Sequence, residues 1–297
     1  MDKKQWFIGG AIALMVSGGI VSNALGNKSI ADTTAHQRVL AVGSTAMQPL
    51  ANQAAQRYNA KHPVQNIVVQ GGGSSFGLNQ VGQNGVTIGN SDMYAERQPG
   101  INIQKLQDHK IAVVGIAPVI NADINLNSLT MYQLRSIFLG SITNWREVGG
   151  PDEKITVINR AAGSGTRYTF EDAVINGDSA MTTEELDDNG AVKQTVATTP
   201  GAISYLAFSY LNGQAMQHIK PLTIDGVQPT VNNVKTNAWP IWAYEHMYTT
   251  TSPDYATKQF VKFMQSGTMV KSAERLGYIP VRDMQVEKNA DGVVTER

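Results

Sequence analysis

The sequence predicts an α/β fold in which short strands alternate with helices. Three observations predict it. Apolar runs of strand length recur along the 297-residue chain, most of them lead into a corner of glycine, serine or threonine, and segments of helical period follow. Repeated strand–loop–helix units of this size are typical of folds with mostly parallel sheets. The length suffices for one large domain or two medium ones.

The first folded segments follow this pattern. The strand "RVLAV" leads into a helix that Ser44 or Thr45 can cap and that tolerates Pro49 in its first turn. The apolar stripe of this helix is formed by Met47, Leu50, Ala54 and Tyr58. "NIVVQ" and "VTIGN" are predicted as the next two strands, and each of them enters a polar segment.

Two long apolar runs indicate crossings between lobes. Residues 111–121 form a continuous apolar run, as expected of a strand covered on both faces. A helix follows with a stripe of Met131, Leu134 and Phe138, and residues 154–160 form the next strand. Residues 237–251 are apolar and aromatic. We expect the chain to cross from one lobe to the other at residues 111–121 and to return at residues 237–251.

Composition and charge exclude several classes of function. The net charge is zero and charged residues make up 16% of the chain, which excludes the broad basic face of a nucleic-acid binder. The chain has no cysteine, so it has no disulfide, thiolate nucleophile or cysteine-ligated metal. Its five histidines show no metal-binding spacing, and we predict neither a metal nor a cofactor.

The N-terminal segment is typical of export. An apolar stretch from Trp6 to Leu25 follows two lysines and has about the length of a bilayer span. Ser22 to Ala24 form a small-x-small cleavage motif. We predict residues 1–26 as a signal peptide or membrane anchor and residues 27–37 as a linker. A buried helix of the globular fold is the less favoured alternative. The folded part is expected outside the cytoplasm.

Three polar corners at strand ends are the candidate binding elements: the first corner (Gly43–Thr45), the second corner (Gly71–Ser75) and the third corner (Gly163–Thr166). Ligands of open parallel sheets lie at the carboxyl ends of strands, so the corners can share one cleft. Each offers backbone N–H groups and hydroxyls to a tetrahedral oxyanion. One corner alone is usually only a turn, but three together favour binding.

Two charged residues accompany the corners. Arg160 precedes the third corner, and its planar fork can hold two oxygens of one anion. The alternative is a surface arginine without a role. Asp92 ends another strand, where a carboxylate repels an anion unless that anion has a proton to donate. The alternative for Asp92 is the cap of a following helix.

The ordered motifs G-S-T…P, G-G-G-S-S-x-G, S-D and R-x-x-G-S-G-T resemble the phosphate-binding proteins of phosphate-specific ABC transporters, the PstS family. The segments "PGAISYLAFSYLN" and "AWPIWAYEHMYT" are similar to that family's second-lobe and crossover segments. The resemblance runs from Val39 to Pro280. It implies a bilobed type II periplasmic-binding-protein fold with two mixed sheets flanked by helices and two crossover segments.

The resemblance also implies a domain division and a binding site. Lobe 1 would comprise residues 38–114 and 245–297, and lobe 2 residues 115–244. The implied phosphate ligands are Ser44, Thr45, Ala46, Ser74, Asp92, Arg160, Ser164, Gly165 and Thr166. Asp92 would accept a hydrogen bond from a phosphate hydroxyl, and the others would donate.

Two positions depart from the family pattern. Many members carry an acidic residue where this chain has Ala162, so Arg160 is expected to lack its usual local partner. Bacterial members are often lipid-anchored through an N-terminal cysteine, which this chain does not have. Attachment to the membrane would then need the uncleaved N-terminal segment, and cleavage would release the protein.

The residues indicate a binder and not an enzyme. Ser74 and Ser164 have no histidine partner visible in the sequence, and "GSGT" lacks the lysine of a P-loop. We therefore predict no catalytic residue. The predicted function is a monomeric extracytoplasmic protein that captures inorganic phosphate for ABC transporter permease subunits with a cytoplasmic ATPase. The alternatives are a surface phosphate sensor or adhesin with the same fold, or a phosphatase-like enzyme.

Overall fold

Residues 37–212 and 216–297 are described by a computed structural model. The predicted signal peptide or anchor, and the linker up to residue 36, lie outside the described residues. Within the described ranges, no helix has the length and apolar character needed to cross a membrane.

Strands and helices alternate along the described chain, as the sequence predicts. The strands are β1 (Gln37–Gly43), β2 (Gln65–Gln70), β3 (Ile88–Ser91), β4 (Leu106–Asn121), β5 (Ser128–Leu129), β6 (Thr156–Arg160), β7 (Glu184–Leu186), β8 (Ala202–Ala207), β9 (Ile219–Pro221), β10 (Thr223–Ile224), β11 (Trp242–Thr250), β12 (Val286–Lys288) and β13 (Val294–Glu296). The α-helices are α1 (Gln48–Lys61), α2 (Ser74–Gly82), α3 (Met131–Phe138), α4 (Gly165–Ile175), α5 (Asn189–Thr198), α6 (Val231–Lys235), α7 (Tyr255–Met264) and α8 (Gly267–Arg275).

The main sheet is mixed and continuous. Its strands follow the order β2-β1-β3-β11-β4-β8-β6-β7, with β9 also beside β4. β1 is parallel to β2 and β3, and β6 is parallel to β7 and β8, whereas β4 and β11 run antiparallel to their neighbours. The expectation of mostly parallel pairing is therefore wrong at the centre of the sheet, because the last long strand enters between β3 and β4.

Strand β4 connects the two ends of the sheet. Its first part pairs with β11 up to Gly115, and its second part pairs with β8 from Ile116 onward. Its side chains also serve two apolar clusters. Val114 packs with α1, α7 and α8, whereas Ile116 and Ile120 pack with α3 and α4. The two mixed sheets implied by the resemblance are thus joined through one strand.

The helix cap expected at Ser44 or Thr45 is not found, nor is the cap that was the alternative role of Asp92. α1 begins at Gln48, and its N-cap residue Met47 makes no side-chain capping bond within the described residues. Ser44 Oγ instead accepts from the Met47 N–H in the preceding loop (3.1 Å), while Thr45 is drawn to other partners. Only a 3₁₀ turn (Ala95–Arg97) follows Asp92, so Asp92 caps no helix there.

Gly77 allows α2 to pack closely against the sheet. A Cβ atom at this position would lie 2.5 Å from the Val42 carbonyl oxygen and 2.8 Å from that of Asn90. Both contacts are with backbone, which cannot rotate away. Because Gly77 has no side chain, α2 lies close to β1 and β3, and the second corner at its start can lie beside the first corner.

We expect Gly77→Ala to lower the free energy of unfolding by about 1–3 kcal/mol, the usual cost of overpacking. The matched control is Gly82→Ala in the same helix, where the nearest atom is the Ile101 side-chain methyl at 3.2 Å. Urea unfolding of both variants measures the difference. Equal stabilities would contradict the close packing of α2.

Candidate anion-binding site

The three polar corners come together, as predicted. The Gly73 N–H donates to the Gly43 carbonyl (3.0 Å), which ties the second corner to the first. The Ser75 N–H donates to the Gly163 carbonyl (3.0 Å), which ties the second corner to the third. Segments that lie far apart in the sequence thus border one cleft.

Two of the corners lie at the N-termini of helices. α2 begins at Ser74 and α4 at Gly165, and the first N–H groups of a helix have no partner within it. Ser164 Oγ accepts the Arg167 N–H as the cap of α4 (3.2 Å), which leaves its hydroxyl hydrogen free to donate. These helix ends therefore provide donors and a favourable potential for an anion.

Arg160 is buried, with 1% of its surface exposed, so a surface role is wrong. Its Nε donates to the Leu186 carbonyl (3.2 Å), and its Nη2 donates to the Asp187 carbonyl (2.8 Å) and to Thr45 Oγ1 (3.1 Å). Nη1 has no hydrogen-bond partner among the described residues. Backbone carbonyls thus hold the guanidinium where Ala162 offers no carboxylate.

Burial lowers the pKa of the Arg160 guanidinium, and Tyr205 and Asp92 act in the opposite direction. The backbone of Arg160 is also supported, since Arg167 Nη1 donates to its carbonyl (2.8 Å). The outcome is a desolvated cation with one nitrogen available, which is the group that an anion in the cleft requires.

Asp92 joins the second and third corners. It is 4% exposed, and its Oδ2 accepts from the Thr166 hydroxyl (2.8 Å). Its Oδ1 accepts a longer bond from the Ser74 hydroxyl (3.4 Å), and its N–H donates to Ser74 Oγ (3.0 Å). A buried acceptor therefore stands among the donors, as the sequence predicts for an anion that carries a proton.

The first corner is tied to both halves of the sheet. Thr45 Oγ1 accepts from Asn189 Nδ2 (3.0 Å) as well as from Arg160. The Ala46 carbonyl accepts from the hydroxyls of Ser209 (3.1 Å) and Tyr278 (2.5 Å). These bonds fix the backbone of the corner, and donation from the Ala46 N–H to an anion stays a prediction.

Two side chains of the cleft were missed by sequence reasoning. Asn189 follows two aspartates at the start of α5 and has no local signature. Glu245 is fully buried in β11, where it accepts from the Ser44 hydroxyl (3.5 Å). Glu245 did carry a signal, because it is the only carboxylate in the apolar run of residues 237–251.

Comparisons with known proteins agree on one family. The PBP superfamily domain matches residues 30–268. The phosphate-binding protein PstS of Bacillus subtilis is 44% identical over 251 residues, which cover 84% of this chain and 83% of that protein. PstS of Borreliella burgdorferi is 24% identical over 261 residues, which cover 83% of this chain and 91% of that protein.

Solved structures are similar as well. One, from Clostridium perfringens, is described as a phosphate ABC transporter substrate-binding protein with bound phosphate. Its TM-score is 0.75 at 27% identity, and the similarity covers 82% of this chain and 100% of the Clostridium perfringens chain. An ABC-type phosphate transport receptor from Vibrio cholerae has a TM-score of 0.65 at 28% identity. The similarity covers 81% of this chain and 99% of the receptor. These similarities confirm the type II periplasmic-binding-protein fold.

We expect Arg160→Lys to destabilise the fold by about 1–3 kcal/mol, because an ammonium cannot serve the Leu186 and Asp187 carbonyls together as the planar fork does. Arg146→Lys is the control, since Arg146 makes an exposed ion pair with Asp152. Chemical denaturation without added anion measures both. An Arg160→Lys protein as stable as the control variant would contradict the structural role of the guanidinium.

Proposed function

The chain belongs to the PstS family of phosphate-binding proteins within the PBP superfamily, and from that premise we propose that it captures inorganic phosphate for an ABC transporter. Phosphate would lie in the cleft between the three corners. The ligands we propose are the nine residues that the family motifs indicate, from Ser44 to Thr166.

One observation carries the proposal. The buried guanidinium of Arg160 has an Nη1 without a hydrogen-bond partner among the described residues, and its Nη2 donates to Thr45 of the first corner. Backbone hydrogen bonds join this corner to the second and the second to the third, where α4 begins. A buried cation is costly unless it is paired, so a site of this kind is completed by an anion. Donors on several sides suit an ion with four oxygens.

Asp92 supports phosphate over sulfate. Phosphate near neutral pH keeps at least one proton, which a buried carboxylate can accept as a hydrogen bond. Sulfate has no proton to donate and would place two acceptors against each other. We propose that Asp92 rejects sulfate in this way, while Arg160 and the corners serve either anion.

The binding role is favoured over the alternatives. The relatives are named as phosphate-binding proteins, and the chain is a binding protein and not an enzyme. A phosphatase-like activity would need an activated nucleophile or a metal. The sensor or adhesin would keep the same site but lose transport, and no specific feature of the cleft favours it.

The remaining parts of the proposal concern the whole chain. We propose two lobes, residues 38–114 with 245–297 and residues 115–244, that close over the anion. The passage of both β4 and β11 through the centre of the sheet supports this division. We further propose an extracytoplasmic monomer, released or held by its N-terminal segment, that delivers phosphate to permease subunits with a cytoplasmic ATPase.

We expect Arg160→Ala to weaken phosphate binding by roughly tenfold to a hundredfold or more, since a hydrogen bond to a charged group is typically worth about 1.5–3 kcal/mol. Calorimetry of EDTA-treated protein measures the dissociation constant. Arg146→Ala, which removes an exposed arginine, is the control. An unchanged constant for Arg160→Ala would move Arg160 out of the site.

We expect Asp92→Asn to raise the affinity for sulfate while changing that for phosphate less. The substitution removes a repulsion that costs at least about 1–3 kcal/mol and adds an amide donor. Titration of both anions gives the selectivity ratio, with Asp152→Asn as an exposed control. A ratio equal to that of the wild type would exclude Asp92 as the selectivity residue.

A further inference from the structure

We propose that Glu245 is a further binding residue of the anion site and that its carboxyl group acts there as a neutral hydrogen-bond donor. The proposal rests on the phosphate function above. It adds a residue that the family motifs do not indicate, and it makes binding depend on pH through the protein itself. The carboxyl would act as a hydrogen-bond donor in the cleft without transferring its proton.

The position of Glu245 is unusual for a carboxyl group. Its side chain has no exposed surface, and it extends from β11 beside a register shift between Glu245 and His246. Its Oε2 accepts a long bond from the Ser44 hydroxyl (3.5 Å), and its Oε1 has no partner among residues 37–212 and 216–297. A carboxylate left in this state would be strongly destabilised by the loss of water.

The nearest ionisable partner is another acid. The Glu245 and Asp92 side chains are in contact, and Asp92 already accepts hydrogen bonds from Thr166 and Ser74. Two adjacent buried carboxyl groups cannot both be ionised without a large cost, so one of them keeps its proton. Burial, followed by the charge of Asp92, raises the pKa of Glu245 well above its usual range.

The other titratable groups near Glu245 do not offer it a cation. Tyr278 and Tyr210 face it, and its charge contributes to raising the pKa of each. The neighbouring helix α2 has no ionisable side chain. The site cation Arg160 donates to Thr45 on the first corner and to the Leu186 and Asp187 carbonyls at the end of β7.

Charges on the remaining packed elements are engaged elsewhere. On β4, Asp108 pairs with His246 (2.8 Å), and the ammonium of Lys110 lies over the Tyr244 ring (4.1 Å). On α4, Arg167 is held by ion pairs to Glu171 and Glu185, which lie outside the Glu245 contact. Protonation is therefore the means by which Glu245 becomes neutral.

A protonated Glu245 changes the charge and the donors of the cleft. The cation of Arg160 then faces one negative charge, that of Asp92, and the Glu245 hydroxyl adds a donor for an oxygen of Asp92 or of the anion. Because the pKa of Glu245 is raised, this state extends to higher pH than it would for an exposed glutamate. It is lost as the pH rises through that pKa, when a second negative charge opposes the anion.

The test compares the phosphate dissociation constants of wild type and Glu245→Gln from about pH 6 to about pH 9. Glutamine has a similar shape, keeps a hydrogen-bond donor and stays neutral at every pH. The phosphate affinity of Glu245→Gln should therefore not show the decrease at high pH that ionisation of Glu245 causes in wild type. We expect the ratio of the two constants to change by about tenfold or more across the range. Phosphate's own ionisation affects both proteins alike and leaves the ratio unchanged.

Glu287→Gln is the control, since Glu287 makes an exposed ion pair with Arg297, and its curve should follow wild type. A constant ratio between wild type and Glu245→Gln would overturn the proposal. Carboxyl carbon NMR of glutamate-labelled wild type gives a test independent of phosphate and of the variant's folding. One glutamate should lose its proton at clearly higher pH than the exposed glutamates, and the absence of such a signal would also overturn the proposal. Absence of phosphate binding by wild type at every pH would instead reject the phosphate function.

Discussion

The burial of the Arg160 guanidinium is the constraint on which the site depends. A cation with 1% exposure must have its N–H groups satisfied, and here three acceptors from distant segments do so. Leu186, the last residue of the edge strand β7, and Asp187 after it contribute carbonyls, and Thr45 contributes a hydroxyl from the other half of the sheet. The same bonds that hold the arginine therefore hold the two sides of the cleft together and leave one nitrogen for an anion.

Charge balance explains why the acids of the cleft matter as much as the donors. Arg160 and Asp92 are buried groups of opposite charge, and the charge of Asp92 acts to raise the pKa of the Arg160 guanidinium against the effect of burial. Hydroxyls of Ser74 and Thr166 stabilise Asp92, and a proton neutralises Glu245. A cleft with no excess charge binds an anion through directed hydrogen bonds, and its selectivity then depends on where protons lie.

Much of the fold could be predicted because its signals are local. The stripe of α3, the apolar run of β4 and the three polar corners are patterns of neighbouring residues. The contacts that the sequence did not reveal are long-range. Thr45 and Arg160 are 115 positions apart, and Leu186 acts through its backbone, so neither leaves a pattern. The prediction that Ser44 or Thr45 caps the first helix is wrong, because α1 begins only at Gln48 and the Ser44 hydroxyl accepts from the Met47 N–H before the helix begins.

The most direct test of the account is a crystal structure of the protein grown with phosphate as the only added oxyanion. We predict one phosphate in the cleft, bonded to Arg160 Nη1 and the N-terminus of α4, with a short contact to Asp92 that requires a shared proton. Phosphate bound elsewhere, with Arg160 and Asp92 in contact only with protein or water, would contradict the account.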